Sequence, residues 1–208
     1  MSLATHLRVW NRIKDVDMFF QRNDPVHKTL RRTIKNLEKA KVPYAVMGGM
    51  AVNLHGYRRT TNDVDILLTA EGLAEFQKRF VPKQYDATPR RPRRFTDRKN
   101  QVIVDFLVTG LYPGSGQPGP IAFPDPEVVR TTIEGWQVIN LSVLIELKLA
   151  ARRHQDFADV ISLIRVHQLD ETFAERLHPS IRRDYIECLE EKRREDEYQA
   201  RQLGEGES

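Results

Sequence analysis

The sequence predicts an α/β fold that is followed by a helical C-terminal lobe. Up to residue 140, short runs of β-branched and aromatic residues alternate with segments of helical periodicity. From residue 141 onwards, helical patterns follow one another and β-branched runs become rare. We therefore divide the chain into an N-terminal helix (residues 1–24), an α/β domain (25–140) and a helical lobe (141–203).

Composition limits the class of protein. The 208 residues are 40% apolar and 30% charged, with a net charge of +4, which is ordinary for a globular protein. The single cysteine, Cys188, excludes an internal disulfide framework, and the six histidines lack zinc-finger spacing. Charged residues interrupt the N-terminal segment, so no signal peptide is predicted, and no apolar run reaches the ~20 residues of a membrane span. We expect a cytoplasmic protein with no membrane partner.

The first predicted elements are two helices, a strand and a short helix. Apolar residues recur at helical spacing over residues 3–22 until an Asn-Asp-Pro sequence breaks the pattern, and a second helix follows over 25–40. The run VPYAVMGG is typical of a strand that enters a turn, because its β-branched and aromatic residues stop at glycine. The next residues, MAVNLHGY, predict a short helix.

Two further strands and a helix complete the α/β domain. DVDILL predicts a strand, AEGLAEFQKRF a helix and NQVIVDFLV a third strand. Residues 110–126 are too rich in Gly and Pro for regular structure, so we expect a loop over or beside a site. Its GSGQPG is not a P-loop, because no Gly-Lys-Ser/Thr follows it.

The C-terminal lobe consists of three predicted helices. Their patterns cover residues 141–154, 156–167 and 179–202. The last of them mixes both signs of charge at helical spacing, which indicates a solvated helix face.

Two aspartates interrupt the apolar pattern of DVDILL. Successive strand residues point to opposite faces, so Asp63 and Asp65 share one face while Val64 and Ile66 enter the core. Two adjacent carboxylates repel each other unless a cation or proton lies between them, which predicts a hard divalent metal with oxygen ligands. Asp105 has the same flanking pattern and would complete a site for one or two magnesium ions. The alternative is a strand cap at Asp63 and an edge-strand charge at Asp105.

A glycine pair precedes these acids. Gly48 and Gly49 end a predicted strand and open a helix, where the missing side chains would let a phosphate approach backbone N–H groups. Most glycine pairs only form a tight turn, so this pair gains weight from its combination with the acids.

This combination resembles the nucleotidyltransferase superfamily with the DNA polymerase β-like fold. In that superfamily a glycine pair or Gly-Ser precedes an acid-x-acid motif, and a third acid follows on a later strand. The matching residues are Gly48, Gly49, Asp63, Asp65 and Asp105. GGMAVNLHGYRRTTNDVDILL is particularly similar to the AbiEii-type branch, known from toxin–antitoxin systems. The resemblance covers residues 44–164 and implies a small mixed sheet flanked by helices, and a cognate toxin or antitoxin partner.

The resemblance also implies roles for individual residues. Asp63 and Asp65 would hold Mg²⁺, and Asp105 would be both a ligand and the group nearest the attacking hydroxyl. Arg59 and Thr61 would meet a phosphate or the ribose of the NTP, although a surface ion pair explains Arg59 equally well.

A helix with a lysine, an arginine and then an acid belongs to the same branch. LIELKLAARRHQDFADVISLI is similar in Lys148, in Arg152 or Arg153, and in the acids Asp156 and Asp159. Helical spacing places Lys148 and Arg152 on one face, and apolar neighbours leave Lys148 on a narrow polar strip. Such an ammonium needs an anionic partner, which the resemblance identifies as the NTP triphosphate.

Two positions depart from the branch. The family often has Arg immediately before the first of those acids, where this chain has Gln155. Many relatives use a serine where this chain has Gly49, so backbone groups would have to hold the phosphate instead.

The resulting functional prediction is a magnesium-dependent nucleotidyltransferase that moves an NMP from an NTP to a hydroxyl. The acceptor is left open between a protein side chain, an RNA end and a small molecule. Positive charge is concentrated over residues 83–99, and the basic run of residues 90–99 suits RNA, although a solvated loop explains it more simply. An antibiotic-type enzyme would need an acidic acceptor pocket, which these arginines disfavour. A non-catalytic binding module would more typically have lost an acid, and all three are present.

Overall fold

The computed structural model describes residues 17–81 and 83–205. Its centre is one sheet of seven strands in the order β3-β4-β5-β2-β1-β7-β6. The strands are β1 (Ala45–Val46), β2 (Asp63–Leu68), β3 (Tyr85–Thr88), β4 (Arg91–Asp97), β5 (Ile103–Val108), β6 (Arg130–Ile133) and β7 (Trp136–Ile139). The pairs β2–β5 and β1–β7 are parallel and the other pairs are antiparallel, so the sheet is mixed.

Helices flank this sheet and form most of the chain beyond residue 140. They are α1 (Pro25–Ala40), α2 (Gly48–Leu54), α3 (Ala70–Phe80), α4 (Pro126–Val129), α5 (Leu141–Ala151), α6 (His154–His167) and α7 (Arg182–Glu205). Two 3₁₀ segments, Glu171–Arg176 and Pro179–Ile181, connect α6 to α7. None of the helices in the described ranges is long and apolar enough to span a membrane.

Local sequence determines where the main helices begin and end. Asp24 caps α1 by accepting hydrogen bonds from the backbone N–H groups of Val26 and His27, and Pro25 fits the first turn because its missing N–H is not needed there. Asn140 caps α5 by accepting from the N–H of Val143. The helix α5 then ends where Arg152 adopts a left-handed conformation, with φ of 56°.

The core lies between one face of the sheet and the helices α1 and α3, which contact each other and the central strands. Alternate residues of β2 and β5 are completely buried there, among them Val64, Ile66 and Val104. Aromatic rings fill the space beneath α3, and the rings of Phe76 and Phe106 lie 4.6 Å apart between centroids. The opposite face of β2 and β5 carries Asp63, Asp65 and Asp105, followed along the strands by the apolar pair Leu67 and Leu107.

The α/β class, the mixed sheet flanked by helices and the helical character beyond residue 140 are confirmed. The expected N-terminal helix over residues 3–22 lies outside the described residues as far as residue 16; residues 17–20 are helical and 21–22 form a turn. The simpler explanation of the basic run, a solvated loop, is wrong about the loop, although Arg90, Arg91 and Arg93 are exposed to solvent. Residues 85–88 and 91–97 form the β3–β4 hairpin, and β4 pairs with β5 through Arg94, Phe95 and Thr96.

Candidate active site

Three carboxylates converge on one face of the central strands. Asp63 and Asp65 lie on β2, and Asp105 lies on β5 as the register partner of Asp65 in the parallel pair. All three side chains are half-buried, and one oxygen from each lies within 4.8 Å of the other two. The alternation predicted from DVDILL is therefore present, and the sheet supplies the third acid.

Electrostatic crowding at this point is severe. Burial, followed by repulsion from Asp63 and Asp105, raises the pKa of Asp65 to about 7, although the positive charges of Arg153 and Lys148 oppose the rise. A divalent cation would remove this repulsion, and carboxylate oxygens are the ligands that Mg²⁺ accepts. The donor set of this cluster therefore fits a magnesium ion.

The three carboxylates have different hydrogen-bond partners. Asp63 accepts one hydrogen bond, from the Thr61 hydroxyl at 2.8 Å. Both oxygens of Asp105 accept from Arg94, whose Nε and Nη2 lie 2.8 and 2.6 Å away. Within residues 17–81 and 83–205, the side chain of Asp65 accepts no hydrogen bond at all. The sequence singled out Arg94 only as a member of the basic run that could contact RNA; its place beside Asp105 was not predicted, because only the strand register brings the two residues together.

The glycine pair is packed against the acid-bearing strand. Gly48 has φ of +58°, and a Cβ built there would lie 1.8 Å from Oδ2 of Asp65. A Cβ at Gly49 would lie 2.7 Å from the hydroxyl oxygen of Thr61. Asp65 on β2 and Thr61, two residues before that strand, therefore require the two glycines, and Thr61 takes the space that a serine at position 49 would need. A phosphate-binding role for this pair stays a prediction.

A buried ion-pair network lies beside the cluster and joins α5 to α6. The ammonium of Lys148, which is 6% exposed, donates to Asp156 at 3.0 Å and to Asp159 at 2.6 Å. Arg59 donates to both oxygens of Asp159, from Nε to Oδ1 at 2.6 Å and from Nη2 to Oδ2 at 2.8 Å, so that Oδ2 is shared with Lys148. Burial alone would raise the pKa of Asp159, but Arg59 and Lys148 outweigh it and lower that pKa. The anionic partner that Lys148 needs is therefore supplied by the chain itself.

The structure separates Arg152 from Lys148 and places Arg153 at the site instead. The expectation that Lys148 and Arg152 share a helix face is wrong, because α5 ends at Ala151. Arg152 adopts a left-handed conformation, and its side chain donates to Asp184 at 2.8 Å. Arg153 donates to Asp156 at 2.6 Å while most of its side chain is exposed.

A cleft of about 460 Å³ opens over these groups. Asp65 and Asp105 line it from the sheet, Lys148 and Arg153 from the C-terminal helices, which form one wall, and residues 90–94 from β4 and the turn before it, which form the other wall. Residues 112–116 of the Gly- and Pro-rich segment also line it, which confirms a loop beside a site. Among the described residues, Arg59 and Thr61 do not line the cleft, since their side chains are engaged by Asp159 and Asp63.

Comparison with known proteins finds only distant similarity. Neither a protein-family model nor a curated protein matches the chain. JHP933 from Helicobacter pylori aligns at 18% identity over 72% of this chain and 69% of its own, with a TM-score of 0.42. A candidate nucleotidyltransferase from H. pylori aligns at 18% identity over 79% and 76%, with a TM-score of 0.43. Another candidate nucleotidyltransferase, from Thermotoga maritima, aligns at 18% identity over 68% and 86%, with a TM-score of 0.39. These similarities are too weak to assign a family or an activity.

Proposed function

We propose that this chain is a magnesium-dependent nucleotidyltransferase that moves an NMP from an NTP to a hydroxyl acceptor. One observation carries the proposal: three carboxylates have oxygens within 4.8 Å of one another, and two of them, Asp65 and Asp105, line a cleft whose walls carry arginines and a lysine. Carboxylates that could bind a metal ion, next to cationic side chains that could bind phosphates, are complementary to a metal ion bound to a polyphosphate.

The roles of the acids follow from their chemistry. Asp63, Asp65 and Asp105 would hold Mg²⁺, and the released repulsion would favour ionised Asp65 at neutral pH. When bound, Mg²⁺ supplies charge neutralisation on the phosphates and activation of the acceptor hydroxyl. By its resemblance to the superfamily, Asp105 would lie nearest that hydroxyl.

The cationic walls indicate what the cleft would bind. The exposed guanidinium of Arg153 lies on one wall, and its charge reaches Asp65 strongly enough to oppose the rise of that pKa. Lys148 lies on the same wall, although two aspartates already share its charge. These groups suit a triphosphate and disfavour a polycationic acceptor such as an aminoglycoside.

The opposite wall favours an RNA end as the acceptor over a protein side chain. Arg90, Arg91 and Arg93 are exposed at the cleft, and in the part of the chain that the structure describes no carboxylate lies within 4.0 Å of their guanidinium groups. Three unpaired arginines within four residues would attract successive phosphates of a single strand.

A labelling experiment tests the proposal. The protein is incubated with Mg²⁺, a cell lysate and each α-³²P-labelled NTP in turn, beside an Asp65→Asn variant, and the lysate is then separated into RNA, protein and small molecules. We expect label in the RNA fraction with wild-type protein only. Nucleotide binding without labelling of any fraction would instead indicate a non-catalytic module of the same fold.

A further inference from the structure

A bidentate ion pair links Arg94, in the arginine-rich wall of residues 90–94, to Asp105, one of the three clustered carboxylates. The two residues are direct partners in the antiparallel pairing of β4 with β5. The guanidinium donates to both carboxylate oxygens, Nε to Oδ1 at 2.8 Å and Nη2 to Oδ2 at 2.6 Å. The pair is half-exposed and lines the cleft, since 30% of the Arg94 side chain and 19% of the Asp105 side chain are accessible.

This pair makes Asp105 unlike the other two carboxylates. Asp65 keeps both oxygens free within the described ranges, and Asp63 gives up one oxygen to Thr61. Asp105 has each oxygen committed to an N–H of Arg94. A cation bound by all three acids therefore has to share an oxygen of Asp105 with Arg94, and the positive charge of the guanidinium weakens its binding for as long as the pair is intact.

We propose that Arg94 is an exchangeable counter-ion: it holds Asp105 until metal and nucleotide arrive, and then leaves the carboxylate to bind a phosphate of the nucleotide. This inference rests on the proposed function and gives Arg94 a nucleotide-binding role within it. A planar guanidinium can form a bidentate pair with a phosphate as well as with a carboxylate, so Arg94 exchanges one bidentate partner for another. No charge is left unpaired at either stage, because the metal replaces Arg94 at Asp105.

The proposal requires opposite effects on metal and nucleotide when Arg94 is replaced. Without Arg94, Asp105 is free, and a metal ion no longer competes with a fixed positive charge. The phosphate, in contrast, loses a ligand. A residue that only supports the fold would weaken both interactions or neither.

Manganese binding without nucleotide tests the first effect. Free Mn²⁺ is measured by electron paramagnetic resonance during titration of wild type, Arg94→Gln, Arg93→Gln and Asp65→Asn. Arg93→Gln is the matched control. It removes one positive charge from the same strand and leaves the hydrogen bonds between Arg94 and Asp105 in place. We expect Arg94→Gln to bind Mn²⁺ about 10-fold more tightly than wild type, and Arg93→Gln to change affinity by less than about 3-fold. Asp65→Asn should lose the site.

Nucleotide binding tests the second effect. Affinity for a non-hydrolysable NTP analogue is measured with saturating Mn²⁺, and Arg94→Gln should weaken it by about 10-fold or more. Arg94→Lys keeps the positive charge and loses the bidentate hydrogen bonding, so we expect an intermediate affinity in both titrations. It also replaces Arg94→Gln as the test variant if Arg94→Gln does not fold.

The outcomes separate this inference from the proposed function. Equal or weaker Mn²⁺ binding by Arg94→Gln, at a site that still depends on Asp65, overturns the exchange and leaves the proposed function standing. Unchanged affinity of Arg94→Gln for the analogue overturns it as well. If wild type does not bind Mn²⁺, or if Asp65→Asn binds it as tightly as wild type, the metal site and the exchange are overturned together.

Discussion

Asp65 on β2 and Asp105 on β5 are register partners in adjacent parallel strands, so their carboxylates project from the same face of the sheet. Asp63 joins them, and one oxygen of each acid lies within 4.8 Å of the others. The fold holds like charges together on its most central strands, at a cost in stability that a bound cation would remove.

The first prediction concerns the pH dependence of stability. The folded protein raises the pKa of Asp65 from its ordinary 3.8 to about 7. Between these values the folded state keeps a proton that the unfolded state releases, so the free energy of unfolding falls as pH rises from about 4 to 7. Asp65→Asn should remove this fall and stabilise the metal-free protein at pH 8 by about 2 kcal/mol.

Urea denaturation in EDTA at several pH values measures this effect. Glu190→Gln is the control, since Glu190 is an exposed carboxylate on α7 and far from the three acids in sequence. If Asp65→Asn followed the wild-type pH profile, burial and the neighbouring acids would not be raising the pKa of Asp65.

The second prediction concerns Gly48. An alanine there would place Cβ 1.8 Å from Oδ2 of Asp65 and would have to adopt φ of +58°. Gly48→Ala should therefore displace Asp65, destabilise the fold by about 2 kcal/mol or more and abolish Mn²⁺ binding. Gly116→Ala is the matched control, because Gly116 also has a positive φ of +78° but nothing lies within 4 Å of the added Cβ. Thermal unfolding and Mn²⁺ titration of both variants distinguish the contact with Asp65 from backbone strain alone.

The third prediction concerns Lys148. Lys148→Met leaves Asp156 and Asp159 buried without their shared ammonium, which should lower the free energy of unfolding by about 3 kcal/mol. Because Lys148 also lines the cleft, its loss should raise the apparent KM for NTP while Mn²⁺ binding persists. Arg152→Ala should cost less than about 1 kcal/mol, since its side chain is 65% exposed. Equal stability losses in the two variants would contradict the buried network.

The fourth prediction concerns the acceptor. Reversing Arg91 and Arg93 to Glu should weaken binding of single-stranded RNA by about 10-fold or more at low salt, and the difference should shrink as salt rises. The control variant combines Lys78→Glu with Arg183→Glu, which changes the net charge by the same amount at exposed positions outside the cleft lining. Filter binding at two salt concentrations measures both variants. If the cleft variant and the surface variant lost affinity equally, net charge would explain the effect and the RNA acceptor would lose its support.

The sequence allowed prediction of the acid pair because strand alternation is a local property. DVDILL determines by itself that Asp63 and Asp65 share a face, and the apolar residues around Asp105 identify another strand of the same kind. The partner of Asp105 could not be predicted in this way. Arg94 lies in a stretch without apolar alternation, and only the long-range pairing of β4 with β5 brings it opposite the acid.

The C-terminal helices show the same limit. The apolar neighbours of Lys148 correctly predicted a buried helix and the need for an anion. Its partners, Asp156 and Asp159, lie on the next helix, and their approach depends on the left-handed turn at Arg152. Glycine usually signals such a turn, and an arginine gives no such signal.

Transfer from paired labels tests the central claim most directly. Wild-type protein and Asp65→Asn are incubated with Mg²⁺, the RNA fraction of a lysate, and the same NTP labelled either at the α- or at the γ-phosphate. We predict that wild-type protein places α-label on RNA and releases γ-label as pyrophosphate, and that EDTA or Asp65→Asn abolishes both. Transfer of γ-label to RNA, no transfer of α-label to RNA, or full activity of Asp65→Asn would contradict nucleotidyl transfer to RNA at the three carboxylates.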